Sequence, residues 1–500
     1  MKQLLDQCGS HMLLAMKDKA FLCLNVTTTT TNPNNPNTHH IMELLPPPPK
    51  IPQTLQDQKD EKSKKNNDTT NLPDGNPIQA LSLLQFQKEE EIVLICAMTR
   101  FDKSLSLYSI SLQNSNSWKD LKEQTPYWNY STNKRCCSLA FTTLPSTSKS
   151  KVPIVITADL TGDVFAYPVL LPSKSTSSSY TLNPTEIDTN AKIQKRLLLG
   201  HTASMLTSVK ISSDQNYLLT SDRDEKIRIS KFPQTHILSN YLLGHSAFVS
   251  CMDVASDPTL TRCVSTSGDG TVRVWDYETA MELLCLDPLC PEEEDVNIST
   301  SHWIPSAVSI SCDGSIIAIA RDCSKQVQVC YLSPPQDNDR SKLEVRKNVY
   351  ISCTGQPLSL QFDKSPSMGN DKSMGLYILT SDIENTLQYY QLPSSPSSTT
   401  EIHLSPIPTN THSHTLQTHI HNSNRSSSLQ MPSTVMEYKY NHPAHIGTNP
   451  KLKMIKKEDP VDKFTWNNSR ERKEKDRLKQ ARIRKRKREQ QRFEKEGFGG

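Results

Sequence analysis

Five hundred residues with a net charge of +4 and only 35% apolar content leave a good part of the chain outside any packed core, because folded domains usually reach roughly 45–50% apolar usage. Glycine is scarce, 15 residues against 32 prolines, which argues against a phosphate-cradling loop, where the backbone must approach the phosphate closely. The 13 cysteines are scattered with no Cys-x-x-Cys pair; neither a zinc nor a disulfide framework is expected, and buried free thiols in a reducing compartment are.

The N-terminal run MKQLLDQCGSHMLLAMKDKAFLCLNV is mildly apolar, but Lys17-Asp18-Lys19 interrupts it, so it fails as a signal peptide. No stretch approaches the ~18 apolar residues of a membrane span. A soluble, intracellular protein without membrane contact is expected. Residues 11–26 read as two short strands, HMLLAM and AFLCLNV, joined by a polar turn. Residues 27–75 hold a Thr run, Asn-Pro repeats, Pro46–Pro49 and a charged stretch. They are expected to form a disordered insertion, since they offer too little apolar surface to order.

Strand-like runs then recur. ALSLLQF, EIVLICAMT and SLSLYSI lie in 77–113; RCCSLAFTTL, VPIVITAD and VFAYPVL lie in 135–170. A Ser/Thr-rich loop at 172–191 precedes the strongest repeat. Gly200-His201 and Gly244-His245 stand 44 residues apart, and the second copy ends in Trp275-Asp276. A Gly-His near the start and a Trp-Asp near the end, at a period of ~40–45 residues, mark a β-propeller blade. Weaker copies follow at 306–332 and 356–392. With the N-terminal hairpin the count is seven, within the 4–8 range of propellers. The fold class is all-β, a seven-bladed WD-repeat propeller over 1–392, and the hairpin needs a completing strand from elsewhere to close the ring.

Residues 393–435 are rich in Ser, Pro, Thr and His and read as a disordered linker. Residues 436–500 form a C-terminal extension. Its segment 470–496 has helix-forming residues, no Pro or Gly, and 14 Lys and Arg against 6 Asp and Glu, a net of +8. Arg484-Lys485-Arg486-Lys487-Arg488 fits either a nuclear localisation signal or an RNA-binding patch, beside the plainer reading of a solvated tail of mixed charge.

Two constellations carry the chemistry. His245, a serine at 265 or 267, Asp269 and Trp275 include the residue types of a hydrolase triad. They fit far better as a structural hydrogen-bond chain that ties the blade together, because no nucleophile elbow accompanies them. The preceding copy keeps His201, and its Asp224 aligns with Asp269. The tryptophan position is Ser230. In the same copy, residues 222–229 read DRDEKIRI. Alternation puts Ile227 and Ile229 on one face and Lys226 and Arg228 on the other. Arg223, Asp224, Lys226 and Arg228 are therefore candidate partner-binding residues on the ring's rim, where arginine supplies bidentate carboxylate contacts. An ordinary solvated loop is the plainer alternative.

The run from Gly200 to Ser250, with GHTASMLTSV, DRDEKIRIS and GHSAFVS, followed by SGDGTVRVWDY, resembles one family: the WD-repeat, non-catalytic subunit of the eukaryotic tRNA (guanine-N7)-methyltransferase. The close match covers roughly 80 residues, and DRDEKIR is far more specific than Gly-His or Trp-Asp. The resemblance implies a heterodimer with a small S-adenosylmethionine-dependent methyltransferase, docked side-on through the segment 223–228, which forms 7-methylguanosine in the tRNA variable loop. It implies contact with tRNA mainly through that complex. It implies no cofactor, metal or active site in this chain, in keeping with the missing Gly-rich loop. Nucleus, and also cytoplasm, are the expected compartments. The alternative is a general nuclear WD-repeat scaffold in ribosome assembly or chromatin.

Overall fold

The computed structural model describes residues 4–8, 11–16, 18–24, 40–47, 76–88, 91–112, 123–145, 151–171, 195–202, 204–286, 304–322, 324–333, 342–364, 373–382 and 386–393. Strands are lettered a to d from the axis outward in each blade. Blade 1 is Leu5–Cys8, His11–Met16, Lys19–Leu24 and His40–Leu44; blade 2 is Ile78–Lys88, Glu91–Arg100, Ser104–Ser111 and Trp128–Ser131. Blade 3 is Cys136–Pro145, Lys151–Asp159, Asp163–Pro168 and Arg196–Gly200. Blade 4 is Leu206–Ile211, Tyr217–Asp222, Lys226–Lys231 and Leu238–Leu243; blade 5 is Val249–Val254, Arg262–Ser267, Val272–Asp276 and Met281–Leu286. Blade 6 is Pro305–Ile310, Ile316–Arg321, Gln326–Leu332 and Val345–Ser352. Blade 7 has three strands among the described residues: Pro357–Phe362, Ser373–Thr380 and Leu387–Pro393.

Each a strand touches the a strand of the next blade, and that of blade 7 touches that of blade 1. The contacts form one closed cycle, so the seven-bladed propeller expected from the repeats is borne out. Burial follows position. The b strands HMLLAM and IIAIAR are buried throughout, as strands covered on both faces must be. The d strand of blade 6, VRKNVYIS, alternates with solvent.

Part of the insertion expected over 27–75 is a strand. Residues 40–44 supply strand d of blade 1, with Ile41 against Cys23 and Met42 against Leu22. HIMEL is an apolar island inside a polar stretch, and five residues suffice for a strand. The rest of 27–75, apart from 40–47, lies outside the described residues. So do residues 172–194, the linker 393–435 beyond Pro393, and the tail 470–496 with Arg484–Arg488.

Four strands of blade 1 come from residues 5–44, and the short strand Glu123–Gln124 joins its outer edge, parallel to His40–Leu44; side chains join blade 1 to blade 7. Lys364 Nζ lies 2.9 Å from Asp6 Oδ1, and Gln7 donates to Asp363 Oδ1 at 3.0 Å. The other Asp6 oxygen accepts from Ser82 Oγ and from the Leu83 amide of blade 2, both at 2.9 Å. Asp253 repeats the device across blades 4, 5 and 6: it pairs with Lys210 at 3.3 Å and accepts from Ser309 Oγ and the Ile310 amide. Burial alone would raise the Asp6 carboxyl. The Lys364 ammonium and the donated hydrogen bonds outweigh it and hold the group below the usual carboxylate range.

The a strands of blades 2 to 7 also share a register shift at their second residue. A bulge sharpens local twist. Repeated at one level, it turns these six inner strands alike as they enter the ring.

Candidate functional site

Blade 5 holds the complete histidine chain. His245 ends the connection from blade 4, which fixes its ring between two elements of the next sheet. Its Nδ1 meets Asp269 Oδ2 at 3.2 Å and its Nε2 meets Ser265 Oγ at 2.8 Å. The Trp275 indole N–H donates to the same Ser265 oxygen at 2.8 Å. Of the two candidate serines, Ser265 is therefore the link; Ser267 donates to the Ala247 carbonyl instead. Asp269 also accepts from the amides of Ser246 and Thr271 and from the Thr271 hydroxyl. Burial opposes its charge, but the His245 contact and these donors hold the carboxyl far below the usual range. A histidine locked between carboxylate and hydroxyl, beneath a Trp that is 1% exposed, ties strands b and c to the d–a connection. It offers no open face to a substrate.

Blade 4 keeps the histidine and changes the rest. His201 Nδ1 meets Asp222 Oδ2 at 3.0 Å, and Nε2 meets Thr220 Oγ1 at 2.8 Å. Asp224, aligned with Asp269 by spacing, does not hold the histidine. The carboxylate has moved two residues earlier, to the end of strand b. From there Asp222 Oδ1 also accepts from the amides of Asp224 and Lys226, at 2.9 and 3.1 Å. The turn is thereby fastened from below, and Asp224 is released to the surface. Asp159 fastens the blade 3 turn in the same way, accepting from the Thr161 and Asp163 amides.

The freed turn is charged and exposed. Asp224, Glu225 and Lys226 are exposed and Arg223 is half-buried. Among the described residues none of the four side chains forms an ion pair. The Arg223 amide donates to the Met205 carbonyl at 2.9 Å, so the backbone is fixed while the charges stand free. Glu225 has φ of 72°, the left-handed conformation that Gly270 takes in blade 5 at 83°. A side chain is uncommon there.

Lys226 and Arg228 do share a face, opposite the buried Ile227 and Ile229. Arg228 is less free than alternation implies. Its Nε donates to Ser230 Oγ at 3.1 Å and its Nη1 to the Gly200 carbonyl at 3.3 Å. Strand register makes Ser230 the counterpart of Trp275, opposite Leu218 as Trp275 is opposite Cys263. The guanidinium thus covers the serine that replaces the tryptophan. Alternation could not reveal this, since it assigns a face but not a partner. The basic run Arg484-Lys485-Arg486-Lys487-Arg488 cannot be placed beside these residues, as it lies outside the described residues.

Comparison with known proteins agrees with the region singled out. The family described as the tRNA methyltransferase TRM82 WD40 domain matches residues 174–374. The human tRNA (guanine-N(7)-)-methyltransferase non-catalytic subunit WDR4 is 32% identical over 209 residues, 40% of this chain and 44% of that protein. The mouse protein of the same name is 38% identical over 217 residues, 43% of this chain and 45% of that one. The Xenopus laevis protein is 31% identical over 236 residues, 46% and 50% respectively. The chain spans about half the length of the curated relatives it matches. The family match over residues 174–374 includes blades 4 to 6 and both histidine chains, and the chain is similar to non-catalytic subunits of tRNA (guanine-N(7)-)-methyltransferase, as the DRDEKIR run implied.

Proposed function

We propose that this chain is the non-catalytic scaffold subunit of a tRNA (guanine-N7)-methyltransferase heterodimer. The rim of blade 4 docks a small S-adenosylmethionine-dependent catalytic subunit, stabilises it and positions it for 7-methylguanosine formation in the tRNA variable loop. The chain has no active site of its own. One observation carries this reading above the others: within the matched span, the turn at 223–226 is held by its backbone yet presents four charges that form no ion pair among the described residues. Such an arrangement costs little ordering on association and supplies the electrostatic complementarity that selects a partner. Arg223 and Lys226 reach carboxylates, and Asp224 and Glu225 exclude surfaces of the wrong sign. The basic segment 484–488 serves nuclear import or adds nonspecific attraction to tRNA phosphates, with the salt dependence that phosphate contact entails.

Co-purification followed by tRNA analysis tests the proposal. A stoichiometric methyltransferase bound to this chain, and loss of tRNA 7-methylguanosine on its depletion, are the expected results. Normal 7-methylguanosine after depletion would reject the role and favour a general nuclear scaffold.

A further inference from the structure

Among the described residues, blades 1 to 6 each carry a strand d, whereas blade 7 ends at its strand c, Leu387–Pro393. That strand is not built like a rim. Strands at the rim stand in solvent along one face, as Leu238–Leu243 and Val345–Ser352 do. In Leu387–Pro393 only Gln391 is exposed. Tyr389 packs with blade 1, and Tyr390 and Leu392 pack with blade 6. A strand at the edge of a sheet offers its backbone as a template for one more strand.

The other blades show what the added strand must bring. Each strand d of blades 3 to 6 seats aliphatic side chains against the following blade. Leu199 meets blade 4, Leu242 meets blade 5 and Leu283 meets blade 6. Val349 and Ile351, two residues apart, meet blade 7. The connection from strand c takes residues 232–237 in blade 4 and 333–344 in blade 6. Blade 1 shows that five residues suffice and that they can arise within a polar stretch, since HIMEL is its strand d.

Past Pro393 the chain reads SSPSSTT and then Glu401-Ile402-His403-Leu404-Ser405, followed by Pro406. EIHLS matches HIMEL in length and alternates as a half-covered strand does. It offers Ile402 and Leu404 at the spacing of Val349 and Ile351. The connection 394–400 falls between those of blades 4 and 6 in length. Pro406 cannot donate to a ladder, so a strand stops before it. The other alternating stretch downstream, VMEYKYN at 435–441, has to close a loop of roughly forty residues, at a larger cost in entropy.

We propose that the outer edge of blade 7 is a docking site for this chain's own residues 401–405. They add as strand d, antiparallel to Leu387–Pro393, and seat Ile402 and Leu404 beside Tyr389 against blade 1. The seam between blades 7 and 1, held near the axis by Lys364 and Asp6, is thereby covered at the rim. The edge is closed to strand addition by other chains. Everything beyond residue 405, the basic segment 484–488 included, is tethered to the rim of blade 7.

Amide hydrogen exchange on the full chain tests this. In the unaltered protein the amides of 402–404 should exchange about tenfold or more slower than those of 397–400, as paired backbone does. Those of 388–392 should exchange as slowly as those of Gln326–Leu332, a strand paired on both edges. Ile402→Asp with Leu404→Asp should speed exchange at 388–392 by about tenfold or more, lower the melting temperature and leave Gln326–Leu332 unchanged. Met436→Asp with Tyr438→Asp should change none of these. Fast exchange at 402–404 in the unaltered chain overturns the proposal, and that measurement decides alone if the first variant does not fold. Protection of 388–392 that survives the first variant, or that is lost in the second, overturns it too. So does protection that vanishes on dilution, as a second copy on the edge would cause, or that arises only when a methyltransferase subunit is added.

Discussion

Blades 4 and 5 share a histidine, a hydroxyl on strand b and an aspartate, and they use them to opposite ends. In blade 5 every member of the chain is spent internally: His245, Ser265, Asp269 and Trp275 satisfy one another, and Arg273 is paired with Glu282. In blade 4 the aspartate sits two residues earlier, at 222. That shift secures the turn from beneath and leaves residues 223–226 free. Ser230 takes the tryptophan's place, and Arg228 turns to cover it. One repeat is built to hold the ring together; its neighbour keeps the same anchor and exposes the remainder. The difference between two copies of a repeat therefore says more about function than their likeness.

The sharpest break comes at Trp275. Trp275→Ala removes a fully buried indole and should cost roughly 3–5 kcal/mol in urea unfolding, whereas Ser230→Ala should cost no more than about 1.5 kcal/mol, the worth of one hydrogen bond. Equal losses would mean the two positions are energetically alike, and the contrast would fail. His245→Ala should cost about 1–3 kcal/mol, because Asp269 and Ser265 lose a buried partner. His201→Ala should cost less, since Thr220 carries no indole that depends on it. A smaller loss in blade 5 than in blade 4 would refute that ranking.

The charged turn should show the reverse profile. Arg223→Glu with Lys226→Glu should shift stability by no more than about 0.5 kcal/mol, as surface substitutions do, while lowering affinity for the proposed catalytic subunit roughly tenfold to hundredfold. Glu225→Gly should raise stability by up to about 1 kcal/mol, because it relieves a side chain at φ of 72°. A loss of stability there would show that Glu225 makes a contact outweighing the strain.

Much of this architecture was legible in the residues. Alternating apolar runs and the Gly-His and Trp-Asp pairs suffice for a seven-bladed ring, because each strand must bury its own face. The histidine chain of blade 5 could be named from residue types at their spacing. What escaped had no local signal. Strand d of blade 1, HIMEL, is five residues in a polar stretch, and its pairing with Lys19–Leu24 on one edge and Glu123–Gln124 on the other makes it a strand. The exchange of Asp224 for Asp222 depends on where strand b ends, which alignment by spacing cannot fix. The Asp6–Lys364 closure joins residues 358 apart, and neither has meaning without the other. Arg228 could be given a face but not a direction along it.

Acid sharpens the comparison least, but in a definite direction. Asp269 is buried, which opposes its charge, yet His245, Thr271 and Ser246 hold its carboxyl well below the ordinary value of 3.8. A carboxyl with a depressed folded pKa contributes stability that is full above the unfolded value and lost as pH falls through the folded one. Asp269→Asn removes that contribution, and all other carboxylates are common to both proteins. The stability difference between the two should therefore be constant from neutral pH down to about 5, and should shrink as pH falls below 3.8. Urea midpoints taken at half-unit steps from pH 7 to pH 2 would measure it. A difference that does not narrow in acid would mean Asp269 contributes as a neutral hydrogen-bonding group, and the histidine chain of blade 5 would then owe nothing to its charge.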